Sequence, residues 1–376
     1  MLGNCWFAEH YGLMEPLDRL FLDRANELAR RALGSTSPNP AVGAVVVASG
    51  RIAGEGYHHR AGEPHAELHA LRAAGERAAG ATLYVSLEPC NHFGRTPPCT
   101  HAVLEAKVER VVVGAADPNP RTAGGGIAHL RAHGVTVELV DDAESLRIIE
   151  PFARAIRSNR PFVTLKMAMS LDGFVASTRG VQQWLTGPQA RELVRELRIA
   201  HDAVAVGAGT VRVDNPRLTV RPEHRRLVPY RRVVICETDA VNPASLIFSP
   251  REGYARTMVA APAGLRERFT PLERVADVLY VGDATSAQLD IAQALVDLRS
   301  AGIASLLCEG GPTLAAQLFD LGLVDRFYGL VAPRLLRSPQ ALPVLTRGSL
   351  PEVRGLRFDG VERVGPDLLV TGIVDV

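Results

Sequence analysis

The chain has 376 residues, 47% of them apolar and 22% charged, with a formal net charge of +1. That length exceeds one ordinary globular core and predicts two domains, and the near-neutral charge carries no polyanion footprint, so nucleic acid is not an expected partner. Five scattered cysteines, Cys5, Cys90, Cys99, Cys236 and Cys308, are odd in number, which argues against a disulfide framework and places the chain in a reducing cytoplasm.

Residues 1–17 read as a flexible N-terminal extension, with Met14 an alternative start. They lack the continuous apolar run of a signal peptide or membrane span. Asp18 is the expected cap of a helix over 18–33. Residues 35–40 are loop, 42–48 a buried strand, 57–64 loop again, 65–78 a helix and 82–87 a strand running into Pro89-Cys90. Cys99 opens a further helix, with Cys90 also expected at a helix start; 110–115 and 135–140 are strands. Lys107 reads as a solvated helix residue. Periodicity breaks at Pro151, Asn159 and Pro161, so 18–150 is one domain, 151–160 a linker and 161–376 a second domain. The second domain opens with strand 162–167 and a turn at Asp172-Gly173. Helices follow over 188–199 and 313–321, with strands at 203–207, 232–236, 257–260, 278–281, 305–308 and 326–331. Strands alternating with helices predict a mostly parallel sheet covered on both faces in the first domain, and a second α/β domain after it.

His65-Ala66-Glu67, Pro89-Cys90 and Cys99 carry the chemistry. One imidazole and two thiolates give a tetrahedral zinc three ligands and leave the fourth position to water. Two thiolates nearly cancel the charge of the ion, which makes a neighbouring proton carrier more important. Glu67 is that candidate, taking a proton from water and delivering it to a ring nitrogen and the departing ammonia. His69 is a rival ligand one turn beyond His65, although the order Glu67-Leu68-His69 does not make a metalloprotease motif. A lone helical histidine is usually structural; two cysteines and an adjacent glutamate argue for a catalytic ion.

His-Ala-Glu with Pro-Cys resembles the cytidine deaminase-like superfamily. The longer run is narrower: Gly56-Tyr57-His58, Gly62-Glu63-Pro64-His65-Ala66-Glu67, Glu88-Pro89-Cys90 and His92-x-Gly94-Arg95-Thr96-Pro97-Pro98-Cys99. It resembles the RibD family of bacterial bifunctional riboflavin-biosynthesis deaminase/reductases. The eight residues between Cys90 and Cys99, against two in many relatives, can shape a pocket for a ribose phosphate. Asn91 stands where the family usually has Ser or Thr. By that resemblance Asn39, His58, His92, Arg95 and Thr96 would contact substrate, and the loops at Asp117-Pro118-Asn119-Pro120 and Gly124-Gly125-Gly126 match as well.

The C-terminal part resembles the reductase half of the same family in Arg160 to Lys166, Ser170-Leu171-Asp172-Gly173, Gln183-Trp184-Leu185-Thr186, Gly209-Thr210-Val211, Asp214-x-Pro216-x-Leu218-Thr219-x-Arg221 and Glu309-Gly310-Gly311. The implied fold is a cytidine deaminase-like three-layer α/β domain followed by a dihydrofolate reductase-like α/β domain. Gly310-Gly311 between a strand and a helix offers exposed N–H groups to a phosphate, without the Gly-x-Gly-x-x-Gly fingerprint of a Rossmann site. By positional match Met169, Trp184, Thr210 and Asp214 would line NADPH. So would the run Gly311, Pro312, Thr313, Leu314, Ala315, Ala316 and Gln317. Arg198, Leu218, Arg221 and Glu309 would contact the phosphorylated substrate, the two arginines through forked donors to phosphate. Two positions depart from the pattern: Gln182 replaces an expected substrate-contacting serine, and Arg337 stands where glycine is usual.

The resemblance implies zinc-dependent deamination at C2 of 2,5-diamino-6-(5-phosphoribosylamino)pyrimidin-4-one, then NADPH-dependent reduction of the ribosyl C1′ to the ribityl product. It implies a small phosphorylated pyrimidine as partner, no nucleic acid, no membrane, and a homo-oligomer such as a dimer. The alternative is a zinc deaminase of another base or nucleotide with an altered or inactive C-terminal domain.

Overall fold

A computed structural model describes residues 15–93, 97–120, 122, 124–220, 226–346 and 355–374. The chain divides into two compact units, Met1–Ile156 and Arg157–Val376. In the first, the elements in order are α1 (Pro16–Arg30), β1 (Gly43–Ala48), β2 (Arg51–Tyr57), α2 (Ala66–Ala74), β3 (Thr82–Val85), α3 (Cys99–Glu105), β4 (Arg110–Val113), α4 (Gly125–Ala132), β5 (Thr136–Leu139) and α5 (Ala143–Arg157). The sheet order is β2-β1-β3-β4-β5. β1 runs antiparallel to both β2 and β3, whereas β3, β4 and β5 are parallel.

Because successive strand residues face opposite sides, the largely buried central strands β1, β3 and β4 feed two cores. Ala44, Val46, Leu83, Val85, Val111 and Val113 pack with α2, α3 and α4, through Ala70, Val103 and Leu130. Val45, Val47, Tyr84 and Val112 pack with Phe21, Leu22, Ala25 and Leu28 of α1. The three layers are as expected, but the sheet is mixed where a mostly parallel one was expected, because the β1–β2 hairpin brings two antiparallel pairings.

Four local expectations change. α1 starts at Pro16, a residue suited to the first helical turn, and Asp18 lies inside it rather than capping it. Asp18 is buried and accepts two bonds from Arg110 (2.9 and 2.6 Å) and one from the Tyr84 hydroxyl. Strand β2 was not expected. Its Gly54 and Gly56 weaken a strand reading, but a Cβ at either would meet the α2 backbone, at 2.2 and 2.7 Å respectively. The glycines are there to let α2 lie on the strand. Ser49 and Gly50, both at positive φ, make the two-residue turn of that hairpin. Lys107 has φ 56° beyond the end of α3 and is an exposed turn residue, not a helical one.

Residues 151–160, expected as a linker, are helical to Arg157, with Pro151 inside α5. Ile148 and Ile149 of that helix pack into first-unit cores, and this apolar stripe outweighs the interruption.

The second unit comprises β6 (Phe162–Ser170), β7 (Phe174–Ala176), α6 (Pro188–Ala200), β8 (Ala203–Gly207), α7 (Ala208–Asp214), β9 (Arg231–Ile235), β10 (Thr257–Pro262), α8 (Arg266–Phe269), β11 (Ala276–Val281), α9 (Ile291–Ser300), β12 (Ser305–Cys308), α10 (Pro312–Asp320), β13 (Arg326–Ala332), β14 (Leu342–Pro343), β15 (Leu356–Val364) and β16 (Asp367–Val374). Its large sheet has the order β11-β10-β9-β8-β12-β6-β13-β16-β15, and β7 pairs with β14 separately. The strands from β11 to β13 in that order are parallel, and β16 and β15 close the edge antiparallel.

β12 enters late in the chain between β8 and β6. Ligands bind open α/β sheets at such a switch, beyond the carboxyl ends of the strands. α9 and α10 cover one face through Leu295, Leu298 and Leu314. Leu197 of α6 and Val211 of α7 lie in the core of the other face, with Val204, Val206 and Leu307.

Candidate active sites

His65 is the residue before α2, with φ −74° and ψ 167°; Glu67 lies in the first turn and Cys99 is the first residue of α3. Cys90 lies on irregular chain after β3, so its expected helix start is absent. The His65 Nδ1 is 3.2 Å from Cys99 Sγ and 3.5 Å from Cys90 Sγ, and the Cys99 backbone N–H donates to Cys90 Sγ at 3.3 Å. All three ligand atoms fall within 4.8 Å of one another, the only such histidine, cysteine and carboxylate group among the described residues. One imidazole nitrogen converging on two sulfurs is a donor set that suits zinc.

The rival His69 stands apart, with its ring stacked on His59 at 4.5 Å. The helical spacing argument fails because His65 is the N-cap: its carbonyl accepts the His69 N–H at 3.3 Å, but its extended φ and ψ take its side chain off the helical face.

Glu67 is buried beside the sulfurs, with a hydrogen bond to the Cys99 thiol. Burial first, then the negative Cys90, pushes its pKa up to about 7. The Cys90 thiol is pulled down to about 4, first by its hydrogen bond with Cys99; that bond and burial push the Cys99 thiol up. His65 is raised, chiefly by its hydrogen bond to Cys90. A carboxyl poised near neutrality can both accept and donate a proton.

His58 is 2% exposed and packs edge-on against His65, with ring centroids 5.2 Å apart. Its Nδ1 faces the Pro64 carbonyl at 3.1 Å, and a carbonyl can only accept, so Nδ1 carries the hydrogen. Nε2 then accepts from the Asn39 side-chain amide at 3.1 Å. Burial lowers the His58 pKa, which favours the neutral ring. His58 therefore orients Asn39 and leaves the amide oxygen of Asn39 free of this bond. His92 is exposed. Arg95, Thr96 and Arg221 lie outside the described residues.

In the second unit several candidates gather at the carboxyl ends of three adjacent central strands, β8, β12 and β6. Met169 is near the end of β6, Thr210 and Asp214 are on α7 directly after β8, and Glu309 and Gly311 follow β12. Gly311 approaches Thr210 so closely that a Cβ there would lie 3.3 Å from the threonine hydroxyl. α10 begins just after Gly311, and Gln317 Oε1 is buried without a partner among the described residues. These features fit a phosphate-bearing cofactor. Leu314, Ala315 and Ala316 turn into the core, so of the expected run only residues on the other faces of α10 have side chains left for a ligand. Trp184 is 64% exposed, under the Arg191 guanidinium, and burial raises the Asp214 pKa.

Glu309 forms a buried cluster that the sequence reading only half identified. Arg198 reaches both of its oxygens through Nε and Nη2 (2.9 Å for the latter), and Lys166 of β6 sits 3.6 Å away. Burial alone would raise the Glu309 pKa; Arg198 and Lys166 outweigh it and hold the group below its ordinary range. The fork of Arg198 is committed to Glu309, and its Nη1 to the Thr219 carbonyl. In this arrangement Arg198 positions Glu309, where a free phosphate fork was expected. Lys166 was missed because a lysine inside a buried strand gives no spacing signal; only its register neighbour, β12, brings it to Glu309.

Leu218 is buried and strained, at φ 47°. Gln182 is exposed. Arg337 has φ 46°, a conformation that explains why glycine is usual there.

Residues 16–115 match the family model described as the cytidine and deoxycytidylate deaminase zinc-binding region, and residues 161–370 match the RibD C-terminal domain. The riboflavin biosynthesis protein RibD of Escherichia coli is 39% identical, covering 93% of this chain and 98% of that protein. The structure of Acinetobacter baumannii RibD superposes with a TM-score of 0.80 at 34% identity, covering 96% of this chain and 99% of that one. The Thermotoga maritima diaminohydroxyphosphoribosylaminopyrimidine deaminase/5-amino-6-(5-phosphoribosylamino)uracil reductase gives 0.79 at the same identity and coverage. No described helix is long and apolar enough to cross a membrane. With both halves matched in order and nearly the whole length shared, the chain belongs to the RibD family of riboflavin biosynthesis proteins.

Proposed function

We propose that the chain catalyses two consecutive reactions on one small phosphorylated pyrimidine. The first unit hydrolyses the C2 amine of 2,5-diamino-6-(5-phosphoribosylamino)pyrimidin-4-one. The second reduces the ribosyl C1′ of 5-amino-6-(5-phosphoribosylamino)uracil with NADPH. The observation that carries this reading is the convergence of His65, Cys90 and Cys99 beside the buried Glu67.

His65 Nδ1 and the two sulfurs would hold zinc, which when bound supplies a Lewis acid that makes water nucleophilic at neutral pH. Glu67 accepts a proton as water adds to C2 and passes it to the adjacent ring nitrogen; it then takes the proton of the new C2 hydroxyl and gives it to the amine, which leaves as ammonia as C2 becomes a carbonyl. The amide of Asn39, aimed by His58, is placed to bond a polar group of the ring or sugar. In the second unit Thr210, Gly311 and the start of α10 at Pro312 and Thr313 would hold NADPH, which supplies hydride when bound. Glu309, fixed by Arg198 and Lys166, presents carboxylate oxygens to sugar hydroxyls. A cytoplasmic homo-oligomer is the setting we infer.

A two-step assay tests the reading. Zinc-loaded protein with the diamino substrate and NADPH should yield the deaminated and then the ribityl product. Failure to reduce independently supplied deaminated substrate would overturn the bifunctional assignment.

A further inference from the structure

Cys90 has no helix to place it, yet its sulfur must sit within a few tenths of an ångström of a set position to share an ion with Cys99 and His65. Glu88, two residues earlier and 5% exposed, accounts for this. Its Oε1 accepts the backbone N–H groups of Gly126 (2.9 Å) and Ile127 (3.1 Å), and its Oε2 those of Gly124 (3.0 Å) and Asp117 (3.1 Å). α4 begins at Gly125, and Gly124, the residue before it, has no side chain to cap it. The first N–H groups of a helix need acceptors from elsewhere, and Glu88 supplies two of them from a distant segment.

The following residue is docked on the same helix. A Cβ on Gly126 would lie 1.9 Å from the Pro89 carbonyl oxygen, so only glycine admits that approach. Beyond Cys90, the Asn91 amide donates to the Gly125 carbonyl (3.3 Å) and its oxygen accepts the Thr100 hydroxyl (2.8 Å). The Thr100 N–H also donates to the Cys90 carbonyl at 3.2 Å. Cys90 is thus held on both sides by the start of α4 and tied to the turn that carries Cys99.

We infer that Glu88 is a positioning residue for the metal thiolates, docking the Cys90 segment onto the start of α4 so that the two sulfurs meet His65 before any ion arrives. It touches neither the reacting ring nor the ion. The inference rests on the zinc reading of His65, Cys90 and Cys99, and it extends the role of this chain's Glu88 and Asn91 beyond the ligands.

The test is zinc affinity of the full chain, measured by competition with a chromophoric chelator, for wild type and Glu88→Gln. The amide keeps the shape but turns an NH2 group toward N–H donors. Zinc should bind about 10–100-fold more weakly, as when other outer partners of metal ligands are lost. The deaminase kcat should fall more than KM changes. Reduction of supplied deaminated substrate by the same preparation should equal wild type, showing that the second unit is intact. Affinity within threefold of wild type overturns the inference, whatever happens to the melting temperature. Should Glu88→Gln not fold, Glu88→Asp decides: it keeps the charge but draws the oxygens back by one methylene from the four N–H groups, so a several-fold loss of affinity supports the inference and wild-type affinity overturns it. A wild-type protein that takes up no zinc overturns the metal reading itself, an outcome distinct from equal binding by both chains.

Discussion

At the scale of single residues, Glu67 has the clearest consequence. It is buried against two sulfurs, and its replacement by glutamine removes the titratable oxygen while keeping the volume. Glu67→Gln should lower deaminase kcat by about 10²–10⁴-fold, the usual worth of a positioned acid–base group. Zinc content by atomic absorption should stay at the wild-type level. Loss of the metal in that variant would mean that Glu67 helps hold the ion and is not solely the proton carrier. Arg337 offers a test of stability. Its backbone is left-handed, its side chain is exposed, and its N–H and that of Leu336 both bond to the Asp172 carboxylate. Arg337→Gly should therefore stabilise the second unit by about 0.5–1 kcal/mol, the relief of the left-handed cost less the greater freedom of unfolded glycine. Urea unfolding followed by circular dichroism would show it, and a destabilisation would remove the strain argument.

At the scale of elements, α1 is held to the sheet by more than its apolar stripe. Asp18 joins Arg110 of β4 and Tyr84 of β3, and the Arg110 hydrogen bonds hold its carboxyl below its ordinary pKa. A carboxylate lowered in the folded state adds stability that is complete above its unfolded pKa and is lost as pH falls through the folded one. Asp18→Asn should therefore destabilise the first unit by about 1–3 kcal/mol at pH 7, the usual range for breaking a buried hydrogen bond to a charged group. The difference from wild type should shrink towards zero as the pH falls below the ordinary aspartate value of 3.8 and through the lowered one. Paired urea melts at neutral and acid pH would check both halves. The same residue shows how an element can be found while its detail is lost. Composition marks a helix near 18–33, but an aspartate ahead of apolar residues looks like a cap whether or not its true partners lie some 66 and 92 positions away.

Strand β15 was missed for a related reason. Its apolar and polar residues alternate only through Leu356-Arg357-Phe358-Asp359 before a bulge at Gly360 breaks the pattern, and none of them is buried. Its existence depends on pairing with β16, where Gly365 at φ 64° makes the turn. Seven parallel strands of the same sheet were legible because most are short apolar runs bounded by helices, as sheets covered on both faces require.

At the scale of the whole molecule, two compact units carry two chemistries, each with its own core. Stripping the metal with a strong chelator should abolish deamination while leaving NADPH-dependent reduction of supplied deaminated substrate within about twofold of the untreated protein, since the one metal-ligating cluster among the described residues lies in the first unit. Readdition of zinc should restore the first reaction. Parallel loss of reduction would show that the second unit depends on the metal centre.

The ligand types were readable in the chain itself, because few arrangements other than an ion explain one histidine, one glutamate and two cysteines with these neighbours. The alternation of strands and helices was readable too, since burial on both faces demands apolar runs. Only the folded molecule decided which histidine joins the sulfurs, that Arg198 and Lys166 both converge on Glu309, and that Glu88 clasps a helix 36 to 39 positions further on. Such pairings depend on backbone direction and strand register, which distant segments set jointly and which no local pattern of side chains encodes.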